Sequence, residues 1–342
     1  MKKKLGYGLL LLIFGFSLTT MAIAEETPAN WFESVTISGA IEVEVSSQND
    51  YADDDSSDIA LATADINVDA VLNDWTAGFV CYSMNDDGVM EVDEATITLG
   101  NTEKNPIFFT GGKMYVPFGA FESNMLSDPI TLDLGEVQND ALLIGAEISG
   151  FNAAVYLFNG EIDEDGEDDT NNCFGASVGY GAEIDSLSFA VGADFINSIT
   201  ESGGLGDMID DNALFLDTYT AGYAVHGSLI YGPVNFFAEY LAAADDLEFT
   251  TATTDAPSAV ALEAGYTFEI AGKESVISAG YQFSSDAGGI LPESRVIGAF
   301  SMALADGLGV TLEYKQDTDY DVADGGTDED ATAITANLAL EF

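Results

Sequence analysis

Positive charge is scarce in this 342-residue chain, which has eight Lys and Arg residues and one His against 60 Asp and Glu residues. The formal net charge is −52 at pH 7. Such a chain repels phosphate backbones, which excludes nucleic acid as a partner. Acidic chains are often disordered, but 47% of these residues are hydrophobic and 11% are aromatic, which predicts a folded protein with segregated acids.

Cysteine and histidine are also scarce, with two and one residues respectively. Cys81 and Cys173 fall on strands that are predicted to lie far apart, so we expect two free thiols. His226 falls on the polar face of its strand and is expected to line an internal space, since no nucleophile or metal-ligand partner is evident beside it. We expect no cofactor and no enzymatic activity. A barrel enzyme such as a protease or lipase is the least favoured of three functions left open.

Long apolar runs are absent after residue 24. Before it, three lysines at positions 2–4 precede an apolar run over residues 9–16, and Ala22 and Ala24 stand where a signal peptidase requires small residues. We predict a signal peptide over residues 1–24 and a mature domain over residues 25–342. The run is shorter than the roughly 20 residues of a spanning helix, so neither a helical span nor a lipid anchor is expected.

Alternation of apolar and polar residues is the main structural signal. In residues 35–45 and 60–72 nearly every second side chain is apolar, and those between include Glu42, Glu44, Asp65 and Asp69. Carboxylates cannot be buried in a soluble sandwich core without partners. They can face a water-filled lumen while the alternate residues face lipid.

The same pattern predicts 16 strands. They lie near residues 35–45, 60–72, 75–83, 92–99, 107–116, 140–149, 151–158, 173–184, 187–196, 218–230, 234–242, 258–270, 275–284, 294–304, 308–315 and 331–342. Tight turns at 73–74, 149–150, 184–186, 231–233, 271–274 and 305–307 alternate with connections that are mostly long.

This alternation of turn length predicts an all-β fold, a transmembrane antiparallel β-barrel with short periplasmic turns and long external loops. Its location is the outer membrane of a Gram-negative bacterium, in contact with lipid and lipopolysaccharide. A soluble sandwich or propeller is the alternative, but neither predicts connections that are short on one side only.

One connection, residues 117–138, differs from the others. Pro117, Gly119, Pro129 and Gly135 exclude a continuous strand there. Its apolar side chains need a packing surface; they include Phe118, Phe121, Met125, Leu126, Ile130 and Leu132. We predict that this third external loop folds into the lumen and narrows it. The constriction candidates are Lys113, Tyr115, Phe118, Phe121, Glu122, Asp128, Glu136 and Arg295.

The predicted lumen is rich in acids. They are Glu42, Glu44, Asp65, Asp69, Glu239 and Glu263. Lys113 shares a strand face with Phe109 and Gly111, and we expect Lys113 and Arg295 to be luminal because a charge facing lipid costs roughly 2–4 kcal/mol near mid-membrane. Two roles are open for Lys113. It ties down the loop through Glu122, Asp128 or Glu136, or it is an eyelet charge that meets an anionic solute.

An acidic run, Glu161-x-Asp163-x-Asp165-Gly166, imitates the start of a calcium loop. Asn172 stands where the bidentate Glu should be, so Asp163 and Asp165 are weak calcium candidates and a solvated acidic face is the default.

Several short motifs match a known family. They are Ser38-Gly39-Ala40-Ile41-Glu42, Val92-Asp93-Glu94-Ala95, Gly112-Lys113 leading into Pro117-Phe118-Gly119, Ser127-Asp128-Pro129 and Gly135-Glu136. Through them the sequence resembles the siderophore porin family typified by LbtU. The resemblance implies an outer-membrane channel that admits ferric siderophore without a plug domain.

Partners and the second function follow from the same features. The carboxy-terminal Phe342, on an alternating strand, resembles the signal of proteins handed to the barrel-assembly machinery. A homotrimer, common among 16-stranded porins, is left open. The alternative to siderophore uptake is a general, cation-favouring diffusion porin for small hydrophilic solutes.

Overall fold

The computed structural model describes residues 32–84, 88–162, 164–166 and 172–342. The predicted signal peptide lies outside this part of the chain. The strands are β1 (Ser34–Asn49), β2 (Asp55–Asn73), β3 (Thr76–Met84), β4 (Met90–Gly100), β5 (Ile107–Tyr115), β6 (Gln138–Ile148), β7 (Phe151–Phe158), β8 (Cys173–Ile184), β9 (Leu187–Ile196), β10 (Gly222–Tyr231), β11 (Val234–Ala243), β12 (Leu247–Phe249), β13 (Ala252–Thr254), β14 (Ser258–Ile270), β15 (Lys273–Ser285), β16 (Ser294–Ala305), β17 (Leu308–Thr318) and β18 (Asp330–Glu341). The helices are α1 (Ile130–Gly135) and α2 (Gly203–Asp211), and Ile199–Glu201 and Val322–Asp324 form short 3-10 helices.

Sixteen of these strands close into one barrel, in which each strand pairs with its neighbours in chain order and β18 pairs with β1. Every pair is antiparallel. β12 and β13 form a separate hairpin in a connection. The predicted antiparallel barrel of 16 strands is therefore confirmed.

The predicted strand bounds differ from the structure chiefly at one end of the barrel. β1 runs on to Asn49 and β2 begins at Asp55, so both are longer than the predicted segments. β10 begins at Gly222 and not at residue 218, because the backbone of Thr220 is held in the preceding loop by Ile199 N–H, at 2.8 Å.

The first and last strands of the described chain, β1 and β18, close the barrel. Gly39 N–H donates to the Phe342 carbonyl at 3.0 Å, and Phe342 N–H donates back to the Gly39 carbonyl at 3.1 Å. A Cβ on Gly39 would lie 2.3 Å from the Asp65 carbonyl oxygen and 2.9 Å from the Phe342 ring. Glycine is required there because the terminal residue crosses directly over this backbone. Recognition of Phe342 by assembly machinery stays a prediction.

The outer face of the barrel is apolar. On β1 the exposed large apolar residues are Val35, Ile37, Ile41, Val43 and Val45, and the residues that alternate with them lie on the inward face. Aromatic side chains form bands near both ends of the strands, with Phe151, Tyr180, Tyr231 and Tyr266 at one end and Phe174, Phe195, Tyr223 and Tyr240 at the other. An apolar belt between two aromatic bands is typical of outer-membrane barrels. No helix in the described ranges is long and apolar enough to span a membrane.

The connections differ at the two ends of the barrel. One end has short turns, such as 149–150, 185–186 and 271–272, where Ser149, Asp185 and Ala271 adopt positive φ angles of 52°, 56° and 52°. The other end has the long segments 116–137, 159–172, 197–221 and 244–257. Short periplasmic turns and long external loops fix the orientation of such a barrel.

Candidate functional site

The connection between β5 and β6, residues 116–137, lies against the inward side chains of the barrel wall; we call it the inner loop. Val116 N–H donates to the Val137 carbonyl at 2.9 Å and closes its base. Pro117 cannot donate in a ladder, and Gly119 has a positive φ of 87°, so the strand ends there. Most of the loop is irregular, apart from the six residues of α1.

Wall carboxylates supply acceptors for the backbone N–H groups of the first part of the inner loop. Gly119 N–H donates to Asp194 on β9 at 3.0 Å, and Ala120 N–H donates to Glu239 on β11 at 2.7 Å. The other Glu239 oxygen accepts a hydrogen bond from the Thr131 hydroxyl at 2.6 Å, so one carboxylate holds both the outgoing and the returning segment.

The loop then continues along the wall to two further carboxylates. Glu263 on β14 accepts from Asn124 N–H at 2.8 Å, and Glu313 on β17 accepts from Leu126 N–H at 2.6 Å and from the Ser127 hydroxyl at 2.6 Å. The order β9, β11, β14, β17 follows the order of the strands in the barrel. The inner loop therefore tracks around roughly half of the wall.

The tip of the loop is held by the one arginine of the described chain. Arg295 on β16 donates two hydrogen bonds to Asp317, from Nε at 2.7 Å and from Nη2 at 3.1 Å, and a third from Nη1 to the Asp128 carbonyl at 3.0 Å. Next to it, Gln282 on β15 accepts from Ile130 N–H at 3.0 Å. Arg295 points inward, as predicted, but its guanidinium already donates to Asp317 and to the Asp128 carbonyl.

These contacts satisfy groups that would otherwise be costly to bury. Glu313 is 2% exposed and Glu239 is 7% exposed. A buried carboxylate needs hydrogen-bond donors, and an irregular buried backbone needs acceptors. Hydrogen bonds to charged groups contribute roughly 1.5–3 kcal/mol each. In a chain with so few bases, loop N–H groups take the place of Lys and Arg partners.

Apolar packing fixes the same loop from its other side. Phe118, Ile130 and Leu134 are at most 1% exposed, in a cluster with Leu205 of α2 and Leu241 of β11. Phe121 is partly buried against this cluster. The predicted candidates Phe118 and Phe121 are therefore packing groups of the loop, and Phe118 does not line an open passage.

The lumen acids that the sequence predicts fall into two groups. Glu239 and Glu263 lie beneath the inner loop and bind it, which corrects the expectation that they line the open lumen. Glu42, Glu44, Asp65 and Asp69 lie on inward positions of β1 and β2, where no residue of the inner loop hydrogen-bonds within the described ranges. We call strands β18, β1, β2, β3 and β4 the uncovered wall.

Neutral side chains partner the acids of the uncovered wall. Asn337 Nδ2 lies 3.2 Å from Glu44 and 3.5 Å from Glu42, and the Ser83 hydroxyl donates to Asp65 at 2.6 Å. No ion pair involving these acids occurs in the described part of the chain. Their charge therefore remains available to the lumen.

Three loop carboxylates add to this charge. The side chains of Asp128, Asp133 and Glu136 accept no hydrogen bond from any residue that the structure describes, and Asp128 and Asp133 are exposed. Burial, together with the charges of Asp128, Asp93 and Asp133, raises the pKa of Glu136 to about 7. Glu122 instead bonds to Ser228 and is partly covered.

Lys113 and Tyr115 are not in the lumen, which corrects both predictions. Lys113 does share a face with Phe109, but this is the outer face, on which Ile107, Phe109 and Tyr115 are exposed. Lys113 Nζ donates to the Val92 carbonyl at 3.0 Å and forms no ion pair with the three loop carboxylates considered for it. Near a strand end, an outward charge costs little because it reaches past the apolar belt.

Sequence reasoning missed several wall residues. Asp194, Gln282 and Glu313 hold the inner loop, and Lys315 lies on the same inward face of β17 as Glu313. The alternation of residues 308–315 already places Glu313 and Lys315 on the polar face. It does not indicate that one of them binds a segment almost 190 residues earlier in the chain.

The remaining candidates are His226, the two cysteines and the acidic run near residue 165. His226 Nε2 lies 3.2 Å from Asp194 Oδ2, beneath the inner loop. Cys81 and Cys173 are both buried and form no disulfide with each other, and the Cys173 thiol lies 3.8 Å from Glu201 Oε1. Asp163 lies outside the described residues and Asp165 is exposed; elsewhere in the described ranges, no group of three or more His, Cys, Asp or Glu side chains is placed to hold a metal ion.

Comparison with known proteins supports the fold assignment. No family model matches the chain. It is 29% identical over 326 residues to a UPF0422 protein of Coxiella burnetii, covering 89% of this chain and 69% of the relative. It is 24% identical over 358 residues to a UPF0422 protein of Legionella pneumophila strain Lens, covering 90% and 66%. The chain thus spans about two thirds of these relatives.

Solved structures with the same fold are outer-membrane proteins. An anion-selective porin from Comamonas acidovorans superposes with a TM-score of 0.65 at 13% identity, over 90% of this chain and 99% of that one. The outer membrane channel DcaP of Acinetobacter baumannii gives 0.61 at 12%, over 90% and 97%. OmpT of Vibrio cholerae in its trimer form gives 0.58 at 16%, over 90% and 99%. The chain has a porin fold, and its apolar belt places it in the outer membrane of a Gram-negative cell.

The raised pKa of Glu136 predicts that ion selectivity depends on pH. With a pKa of about 7, this carboxyl is mostly protonated at pH 6 and mostly ionised at pH 8. We expect the permeability of cations relative to anions, measured as a reversal potential in a salt gradient, to increase over this range and Glu136→Gln to abolish the increase. Glu201 is the matched control, since burial also raises its pKa to about 7 but it binds Glu161 N–H in an external loop. Loss of the increase in Glu201→Gln, with its persistence in Glu136→Gln, would contradict the assignment.

Proposed function

We propose that this chain is a narrow outer-membrane diffusion channel that favours cations and admits small hydrophilic solutes. The observation that carries the proposal is the inner loop, which four wall carboxylates hold against one half of the barrel. Passage is left along the uncovered wall. The cross-section available to solutes is therefore a fraction of the barrel, which limits their size.

The charge of this passage is negative. Glu42, Glu44, Asp65 and Asp69 line one side, and the exposed carboxylates of the inner loop contribute to the other. Of the bases in the described chain, Lys104 pairs with Asp74 at a short turn and Lys273 binds the Leu304 carbonyl near another. Arg295 is engaged, Lys113 is outside, and Lys315 is the one remaining lysine of the described ranges, on an inward position of β17. Within a few ångströms, salt screens such charges little, so cations are enriched in the passage.

The fold alone does not set the sign of selectivity, since one structural neighbour is an anion-selective porin. Side chains of the passage decide it. In planar bilayers with a salt gradient we expect a reversal potential that reports cations passing more easily, with a preference that weakens as salt rises. Anion preference in the wild-type protein would contradict the proposal.

The size limit is tested by loosening the inner loop. Glu263→Gln combined with Glu313→Gln replaces charge-assisted hydrogen bonds to the loop backbone by weaker neutral ones. We expect larger single-channel conductance, more current noise and entry of larger sugars in liposome swelling. Glu42→Gln combined with Glu44→Gln is the matched control, since it removes the same charge from the uncovered wall. The control should weaken cation preference without adding noise. Equal noise in both variants would refute the anchoring role.

Uptake of ferric siderophore is the second candidate function, and the family resemblance implies it. The observation that supports it is that the inner loop, within the described chain, leaves the uncovered wall open without a plug. We expect a deletion strain to lose growth under iron limitation with a usable siderophore and to regain it when the gene is restored. Normal iron uptake in the deletion strain would leave general diffusion as the function.

A homotrimer is the assembly that the outer surface favours. The three adjacent strands β18, β1 and β2 contain no Phe, Tyr or Trp, whereas β3 and each of β7–β11 and β14–β17 contain at least one. The aromatic bands that mark lipid contact are therefore interrupted over one face. This apolar face within the membrane can pack against a second copy of the chain, and one structural neighbour was solved as a trimer.

This assembly is tested with bulky substitutions that lipid tolerates. We expect Val43→Trp, on the face without aromatics, to convert the trimer to monomer in mild detergent. Val191→Trp on β9 is the control, because this outward residue lies among the aromatic bands. A monomeric wild-type protein, or equal loss of trimer in both variants, would contradict the interface.

A further inference from the structure

His226, the only histidine of the chain, lies between the two carboxylates that hold the start of the inner loop. Its Nε2 is 3.2 Å from Asp194 Oδ2, and the same oxygen accepts a hydrogen bond from Gly119 N–H at 3.0 Å. Its direct partner on β11 is Glu239, which accepts from Ala120 N–H at 2.7 Å. One imidazole ring therefore lies beside both of these anchors.

The neighbouring strand fixes the ring in this place. Gly192 is the direct partner of His226 on β9, and Asp194 follows two residues later on the same face. A Cβ on Gly192 would lie 2.3 Å from both Cε1 and Nε2 of the ring. Because glycine leaves this space open, the ring can lie across β9 and reach the Asp194 carboxylate.

The Asp194 carboxylate has fewer donors than its burial requires. Its side chain is 2% exposed, and although Oδ2 has two donors, Oδ1 is buried without a hydrogen-bond partner among the described residues. A buried carboxylate is costly unless donors or an opposite charge compensate it. In the described ranges, His226 is the one basic side chain within ion-pair distance of Asp194. A protonated ring supplies the compensation that Oδ1 lacks.

Water can reach the ring, as its titration requires. The His226 side chain is 22% exposed and lines a cavity of about 20 Å³ beneath the inner loop, which has room for one water molecule. The titratable groups that face the ring are all acids: Asp194 from β9, Glu239 from β11, Glu122 from the inner loop and, in the wall of the same cavity, Glu263 from β14. Protonation of His226 therefore places a single positive charge among four carboxyl groups.

We propose that protonated His226 holds the inner loop against the wall and that loss of this proton loosens the loop, so that the constriction of the channel responds to pH. With the ring protonated, Asp194 has an ion pair and keeps its bond to Gly119 N–H, and the ring also faces the charge of Glu239. With the ring neutral, one neutral hydrogen bond remains. His226 is a positioning residue, because it acts on the passage through Asp194 and the loop. The inference rests on the proposed function, in which this loop limits the passage.

The direction of the effect follows from the charges. An ordinary histidine loses its proton near pH 6.5, so the ion pair is present at low pH and is lost as pH rises. Charge-assisted hydrogen bonds are roughly twice as strong as neutral ones. We therefore expect the population of detached loop to increase by about fivefold when the ring loses its proton.

The experiment records single-channel currents in planar bilayers at about pH 5.5 and about pH 8.5, on either side of the ordinary histidine pKa. We expect the current noise of the wild-type protein to be about fivefold larger at the higher pH. His226→Gln can donate only a neutral hydrogen bond and should show the larger noise at both values. His226→Lys keeps a positive charge and should show the smaller noise at both. Asp194→Asn, which removes the partner, should also abolish the response.

Glu136→Gln and Glu201→Gln are the matched controls, because each removes another carboxyl whose pKa is about 7. The noise should still respond to pH in both. Currents whose noise does not change with pH in the wild-type protein, or a response that persists in His226→Gln, would overturn the role of His226 while leaving the channel intact. A wild-type protein that carries no current at either pH would overturn the proposed function, and the pH response with it.

Discussion

The hydrogen bonds between wall carboxylates and the backbone of the inner loop are the interaction on which the rest of this structure depends. The loop has prolines and glycines that prevent regular structure, so its N–H groups need acceptors from elsewhere. The wall has carboxylates that cannot find bases, because the chain has hardly any. The loop N–H groups donate to Glu239, Glu263 and Glu313, so both the loop backbone and the wall carboxylates have partners. All three carboxylates are buried beneath the loop.

This pairing also divides the acids of the barrel by role. The charges of the acids under the loop are stabilised by N–H and hydroxyl donors of the loop, which covers these acids. The acids on β1 and β2 have only neutral partners such as Asn337, so their charge stays effective there. Chemically identical residues thus act as structural anchors or as selectivity groups, depending on whether the loop reaches them.

The distribution of the few bases follows the same logic. Arg295 has a planar group that can serve Asp317 and the loop carbonyl of Asp128 at once, so it is used as a clamp. Lys315 has a compact charge on a flexible stem and, two residues before Asp317, forms no ion pair with any described residue. Lys113 is held outside, near the end of β5, where an outward charge is inexpensive. One strand of difference in position therefore separates a base that binds protein partners from one that forms no ion pair in the described chain.

The sequence by itself determined the strands, the turns and the inward bend of residues 117–138. A period of two is a local property, and Pro117 and Pro129 break a strand wherever they occur. Alternation also grouped Lys113 correctly with Phe109. The prediction that Lys113 faces the lumen rested on the typical cost of a charge in contact with lipid. It is wrong because Lys113 lies near the end of β5, where that cost is small.

Only the tertiary structure decided which carboxylates bind the loop and which stay free. Glu313 and Ser127 are 186 positions apart, and no local pattern links them. Their contact depends on how far the loop travels around the wall, which closure of the barrel and packing of Phe118 and Leu134 fix together. The spacing of residues along a strand determines the face on which a side chain lies. Closure of the barrel determines which distant residues that side chain contacts.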